Sequence, residues 1–196
     1  MAVLPVRKIA VAGVLSAVAV VLGLTRLGYI PWFTGTSVTI LHLPVIIGAL
    51  LEGPVVGLII GAIFGVTSVF QAALSATAGD ALFANPLIAV LPRLFIGPAA
   101  WAVYRLIAGK AKATPSVGRE TLAIGAGAAV GSLANTGLVI GAIGLFGGIP
   151  WATLWPLAVA NAPPEAFVAV VLSLMVVTVW RRLPAGGGKA RLAREE

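Results

Sequence analysis

The chain has 196 residues, of which 60% are hydrophobic and only 10% charged, with a mean hydropathy of +1.08, whereas a soluble domain of this length carries about a quarter charged residues. The absence of cysteine excludes disulfides, thiolate metal sites and cysteine nucleophiles, and a single histidine excludes a multi-histidine metal centre within the chain. The net charge of +7 stands at the ends of apolar runs and not on a soluble face, so it marks membrane topology and no nucleic-acid partner is expected.

Taken in order, the apolar runs predict six helices in a lipid bilayer. Arg7 and Lys8 precede a first span over residues 9–24, which is too long for the apolar region of a leader peptide. The second span, 37–51, is short and is expected to sit partly behind other helices. Pro54 opens the third, Pro54–Leu74, since proline is favoured in a first helical turn. The fourth covers 86–107, the fifth 121–146 and the sixth 151–180. The fold class is therefore an all-α membrane protein, a bundle of six transmembrane helices over residues 1–183, followed by a flexible basic tail, 184–196.

An even number of spans leaves both termini on one side. Eleven of the thirteen Lys and Arg residues fall on that side, while the opposite loops hold only Arg26. The positive-inside rule therefore expects both termini in the cytoplasm. On the other side, segment 28–35 is aromatic and stiffened by Pro31, with Trp32 at its centre, and segment 75–84 is small and polar. They read either as an interfacial belt and a loop, or as lids over an outward-facing pocket.

Small residues mark where helices approach one another. Gly53, Gly57, Gly61 and Gly65 recur every fourth residue along the third helix, a smooth stripe against which another backbone can pack. The first helix carries Gly13 and Ala17, with Ala12 and Ser16 one position behind, and can offer a groove to another membrane protein.

Six polar residues fall within the apolar runs: His42, Asn85, Arg93, Asn135, Asn161 and Glu165. No carboxylate lies within twelve residues of Arg93 on either side, and a guanidinium in hydrocarbon costs several kcal/mol unless it meets a partner or a wet cavity. Arg93 is eight residues beyond Asn85, roughly 12 Å deeper along a helix, which brings it to a depth comparable with Glu165. Asn161 and Glu165, four apart, share a helical face. Two readings stay open: an Arg93–Glu165 ion pair that only clamps two helices, or a pocket in which Arg93 recognises a carboxylate or other acceptor and Glu165 orients it or accepts from a ligand hydroxyl or amide. His42, Asn135 and Asn161 either bond across helices or serve a polar ligand. No catalytic triad order, HExxH or P-loop is present, so neither an enzyme nor a cofactor is expected and the chain has no ATPase of its own. A small membrane enzyme built on Glu165 or His42, or a ligand-free assembly subunit, are the alternatives.

These residues together resemble the S components of energy-coupling factor (ECF) vitamin transporters. The likeness covers nearly the whole span 7–180 and rests on stretch 42–54, which begins at His42 and ends at Pro54, on the helix 57–68, on 85–93 with its Asn-Pro start and Leu-Pro-Arg end, on 132–139, and on Asn161 with Glu165. The resemblance implies a six-helix subunit that captures a water-soluble vitamin and docks on a membrane T component carrying two ATPase subunits. It further implies toppling in the membrane to release the vitamin, in the bacterial cytoplasmic membrane. The family's docking motif on helix one, Ala-x-x-x-Ala, matches here at Gly13 and Ala17. Its lids match residues 29–33 and 75–84, which brings Trp32 to the site. The Leu-Pro-Arg-Leu stretch looks most like the pantothenate and folate branch, with pantothenate first and riboflavin and cobalamin open.

Overall fold

The structure, a computed structural model, describes residues 4–31, 37–74, 78–109 and 116–182. Trp32, part of each expected lid and the basic tail 184–196 lie outside them. Five helices are long and apolar enough to cross a membrane: α1 Val6–Leu24, α3 Pro54–Leu74, the run 86–108, α7 Val117–Phe146 and α8 Trp151–Arg182. The run 86–108 is broken at Val90 into α5 Pro86–Ala89 and α6 Leu91–Ala108. Pro86 and Pro92 each sit in a first turn, where a missing N–H costs nothing. Large apolar side chains such as Phe70, Phe95, Leu122, Trp155 and Phe167 stand exposed around the outside, as a lipid solvent requires.

The expected second span differs from its prediction. Ser37–Thr39 is a strand, β2, paired antiparallel with β1, Tyr29–Pro31, and helix α2 runs only from Leu43 to Glu52. Val38 and Thr39 are β-branched and suit an extended chain. Pro44 in the first turn fixes where the helix starts, and Gly53, with φ of 100°, ends it in a conformation open to glycine. Every residue from Leu43 to Leu50 is buried, because α2 packs against α1, α3, α6, α7 and α8 at once. Val45, Ile46, Val56, Ile60, Ile96 and Ile124 form the centre of the core around it.

The glycine stripe of α3 brings α3 and α6 together. A Cβ on Gly57 would lie 2.9 Å from Gly97 Cα and 2.6 Å from Ala49 Cβ, and one on Gly65 would lie 2.7 Å from Val90 Cα. Such backbone-to-backbone contact has no room for a methyl group. On α1, Ala12 and Ser16 face the bundle, whereas Gly13 and Ala17 are exposed and a Cβ on Gly13 would meet nothing within 4 Å.

Polar contacts gather at the two ends of the bundle. At one end Arg7 Nε donates to Glu52 Oε1 at 2.7 Å. Arg181 there donates to Glu120, to Tyr104 Oη at 2.6 Å and to the Leu50 carbonyl at 2.8 Å. The start of α1 and the end of α8 thus meet the same end of α2. At the opposite end Arg26 Nη2 meets Oδ2 of Asp80, on the single-turn helix α4 (Ala78–Ala81), at 3.0 Å.

Candidate functional site

A cavity of about 670 Å³ lies towards the Arg26–Asp80 end, between α3, α7, α8 and the hairpin. Its polar lining brings together Arg93, Asn135, Asn161 and Glu165, four of the residues singled out in the sequence, with Tyr29 and Thr39 from the hairpin and Thr136 beside Asn135. Phe64, Val139, Ile140 and Leu154 supply apolar walls. A mostly apolar hollow with a few convergent polar groups, in a volume between about 300 and 1,000 Å³, is the usual form of a small-molecule site.

Arg93 arrives from the first turn of α6 and is 6% exposed. It has no carboxylate within ion-pair distance among the described residues. Its Nη1 donates to the Ile88 carbonyl, and its guanidinium lies over two rings, 5.4 Å from the Phe64 centroid and 4.8 Å from that of Phe83. Ring faces stabilise a desolvated cation. Nε of Arg93 and Oδ1 of Asn135, both buried and both on cavity-lining residues, have no hydrogen-bond partner among the described residues. Buried polar atoms are seldom left so without a purpose.

Glu165 does not form the anticipated pair with Arg93. Its Oε1 accepts from the Thr39 main-chain N–H at 2.8 Å and from the Thr39 hydroxyl at 3.0 Å, and its Oε2 accepts from the Thr136 hydroxyl at 2.9 Å. Three donors satisfy the carboxylate without a cation. Two prolines, Pro163 and Pro164, directly precede it inside α8. Lacking N–H groups, they cannot give the carbonyls of Val159 and Ala160 the usual donor four residues on.

Towards the mouth, Arg26 packs over Tyr29 at 5.8 Å and both line the cavity with Asp80. Burial, and after it Asp80, raises the Tyr29 phenol above its ordinary value, with Arg26 and Arg93 acting the other way. The phenol therefore keeps its proton at neutral pH and stays a donor.

Two expected site residues lie elsewhere. His42 is 1% exposed, directly precedes α2 and sets Nε2 3.1 Å from Ser132 Oγ, in the core and not among the cavity-lining side chains. Asn85 caps α5, its Oδ1 accepting from Leu87 N–H at 3.0 Å, the ordinary use of an Asn before a proline-started helix. Conversely, Thr39, Phe64, Phe83 and Thr136 were not singled out. Thr136 directly follows Asn135 and Phe83 falls within segment 75–84, expected as a lid, but nothing local marks Thr39 or Phe64.

A bundle of apolar helices around a mostly apolar cavity with a few convergent polar groups defines a membrane protein that binds a small solute. No cluster of three potential metal ligands occurs among the described residues. The sequence matches the family "ECF transporter, substrate-specific component" over residues 7–177. The chain belongs to that family: it is a multi-pass substrate-binding component of a transporter, and not an enzyme. Among curated proteins it is similar to the pantothenic acid transporter PanT of Lactococcus lactis subsp. cremoris (strain MG1363), 28% identical in an alignment that covers 86% of this chain and 91% of that transporter.

Proposed function

We propose that the chain binds pantothenate in this cavity for uptake by an ECF transporter. The observation that carries the reading is Arg93, a buried guanidinium on a cavity-lining residue, without a carboxylate partner among the described residues and with an Nε that no described group accepts from. Pantothenate offers a carboxylate to Arg93, and its amide N–H and hydroxyls are donors for Asn135 Oδ1, with Asn161 nearby. Similarity to a pantothenic acid transporter supports the same vitamin. Folate also carries carboxylates, and riboflavin and cobalamin are the further competitors.

In this reading the domain over 1–183 crosses the bacterial cytoplasmic membrane six times, the hairpin strand and short α2 together making the second crossing. The cluster of Arg and Lys at the end holding Arg7 and Arg181 supports a cytoplasmic side for both termini, with 184–196 as a basic tail. The exposed small face at Gly13 and Ala17 docks on the T component, which carries the two ATPase subunits.

Purified protein should bind labelled pantothenate without nucleotide and in preference to folate, riboflavin and cobalamin. Arg93→Met should weaken binding by roughly a hundred-fold, the scale of losing one partner of a buried charged contact. Equal affinity of Arg93→Met and the unaltered protein would sink the assignment.

A further inference from the structure

Glu165 lines the cavity, yet protein groups already occupy both of its oxygens. Oε1 takes the two donors of a single residue, Thr39, 126 positions away, and Oε2 takes Thr136. Thr39 is the last residue of β2 and pairs with Tyr29 of β1. One carboxylate therefore ties three pieces of chain together: the hairpin, α7 and α8.

The hairpin has an independent apolar hold as well. Val38 and Leu41 are 2% and 3% exposed, and the Ile40 N–H donates to the Gly28 carbonyl at 3.0 Å. The hairpin can therefore form without Glu165, whose carboxylate links it by hydrogen bonds to α7 and α8. Because Tyr29 and Thr39 are opposite one another, whatever locates Thr39 also locates Tyr29, and with it the Arg26–Asp80 pair at the mouth.

We propose that Glu165 is a positioning residue, which fixes the β1–β2 hairpin across the cavity through Thr39 and thereby sets how long a ligand stays, without itself touching that ligand. The inference rests on the reading that this cavity holds the transported solute. Glutamine in its place keeps the arrangement: its carbonyl oxygen accepts both Thr39 donors, and its amide donates to Thr136 Oγ1. The Thr136 hydroxyl then turns to the Ser132 carbonyl, already 3.4 Å away. Alanine keeps none of it.

The test is hydrogen exchange at the Thr39 amide in the ligand-free, full-length protein, together with the dissociation rate of pantothenate. Glu165→Ala should speed Thr39 exchange on the order of ten-fold, the consequence of losing a hydrogen bond to a charged group, while Ile60 in the core exchanges as before. Glu165→Gln should restore both the exchange and the dissociation rate to near those of the unaltered protein. Thr136→Val, which frees one carboxylate oxygen, should give an intermediate acceleration and serves if Glu165→Ala does not fold. Thr39 exchange unchanged in Glu165→Ala would overturn the proposal, as would equal acceleration at Ile60, which is mere loss of structure. So would a Glu165→Gln protein with slow Thr39 exchange but no pantothenate binding, because the carboxylate would then contact the ligand. If the unaltered protein binds no pantothenate, that ligand assignment fails, while exchange in the ligand-free protein still decides the role of Glu165.

Discussion

Replacing Gly61 by alanine probes how tightly the site is tied to helix packing. A Cβ there would lie 3.0 Å from the carbonyl carbon of Arg93, closer still to its oxygen, and 3.5 Å from Val45 Cγ1. Two effects oppose one another. Alanine is favoured over glycine within a helix by about 1 kcal/mol. Overpacking a filled interior costs about 1–3 kcal/mol, towards the upper end when the obstacle is backbone and no rotamer can yield. The net expectation is a loss of about 1–2 kcal/mol. Gly137 on α7 supplies the control, because a Cβ there meets nothing within 4 Å, so Gly137→Ala should be neutral or stabilising by up to about 1 kcal/mol. The two variants should differ by about 1–3 kcal/mol, or roughly 2–12 °C in Tm for a chain of this length. The displaced atom belongs to Arg93, so pantothenate affinity should also fall in Gly61→Ala, by roughly ten-fold, and hold in Gly137→Ala. Thermal unfolding in detergent and equilibrium binding measure both quantities. Gly61→Ala at least as stable as Gly137→Ala would refute the close approach of α3 to α6.

Three further outcomes follow from the same geometry. Asn85→Ala should cost about 1 kcal/mol of stability through the lost cap and leave ligand affinity unchanged, whereas Asn135→Ala should weaken pantothenate binding with little change in Tm; paired melting and binding curves separate them. Gly13→Leu should abolish uptake by cells while purified protein binds pantothenate normally, and it contradicts the docking role if uptake persists. Asp80→Asn breaks an exposed pair with Arg26 and should lower stability by less than about 1 kcal/mol, a difference that disappears in high salt.

The sequence carried much of this because membrane helices advertise themselves by length and hydropathy. The spacing of Gly57, Gly61 and Gly65 disclosed a packing face, and the four-residue step from Asn161 to Glu165 placed both on the cavity. The depth estimate brought Arg93 and Glu165 to the same hollow but not into contact. What it lacked was Thr39, whose two donors come from a strand concealed within continuous apolar sequence from 37 to 51. Two β-branched residues, Val38 and Thr39, permit the strand there, and pairing with Tyr29–Pro31, which no local pattern announces, makes it one. Asn85 shows the opposite case: Asn followed by Pro86 is a local capping signal, sufficient to account for the residue without any ligand. His42 bonds through Nε2 to Ser132, a partner 90 positions away that no periodicity reveals.

The short helix α2 has a bearing on how this protein is made. Ten residues rise about 15 Å, half of a hydrocarbon layer about 30 Å thick, so this segment has no stable place among lipids by itself. Its residues from Leu43 to Leu50 are covered on all sides by helices that, except for α1, are synthesised after it. The segment must therefore wait, held at the interface or inside the insertion machinery, until α3, α6 and α7 have built its socket. A mutation in those later helices would then show itself early in the chain, as residues 37–52 exposed to proteolysis while the long helices are already in the membrane.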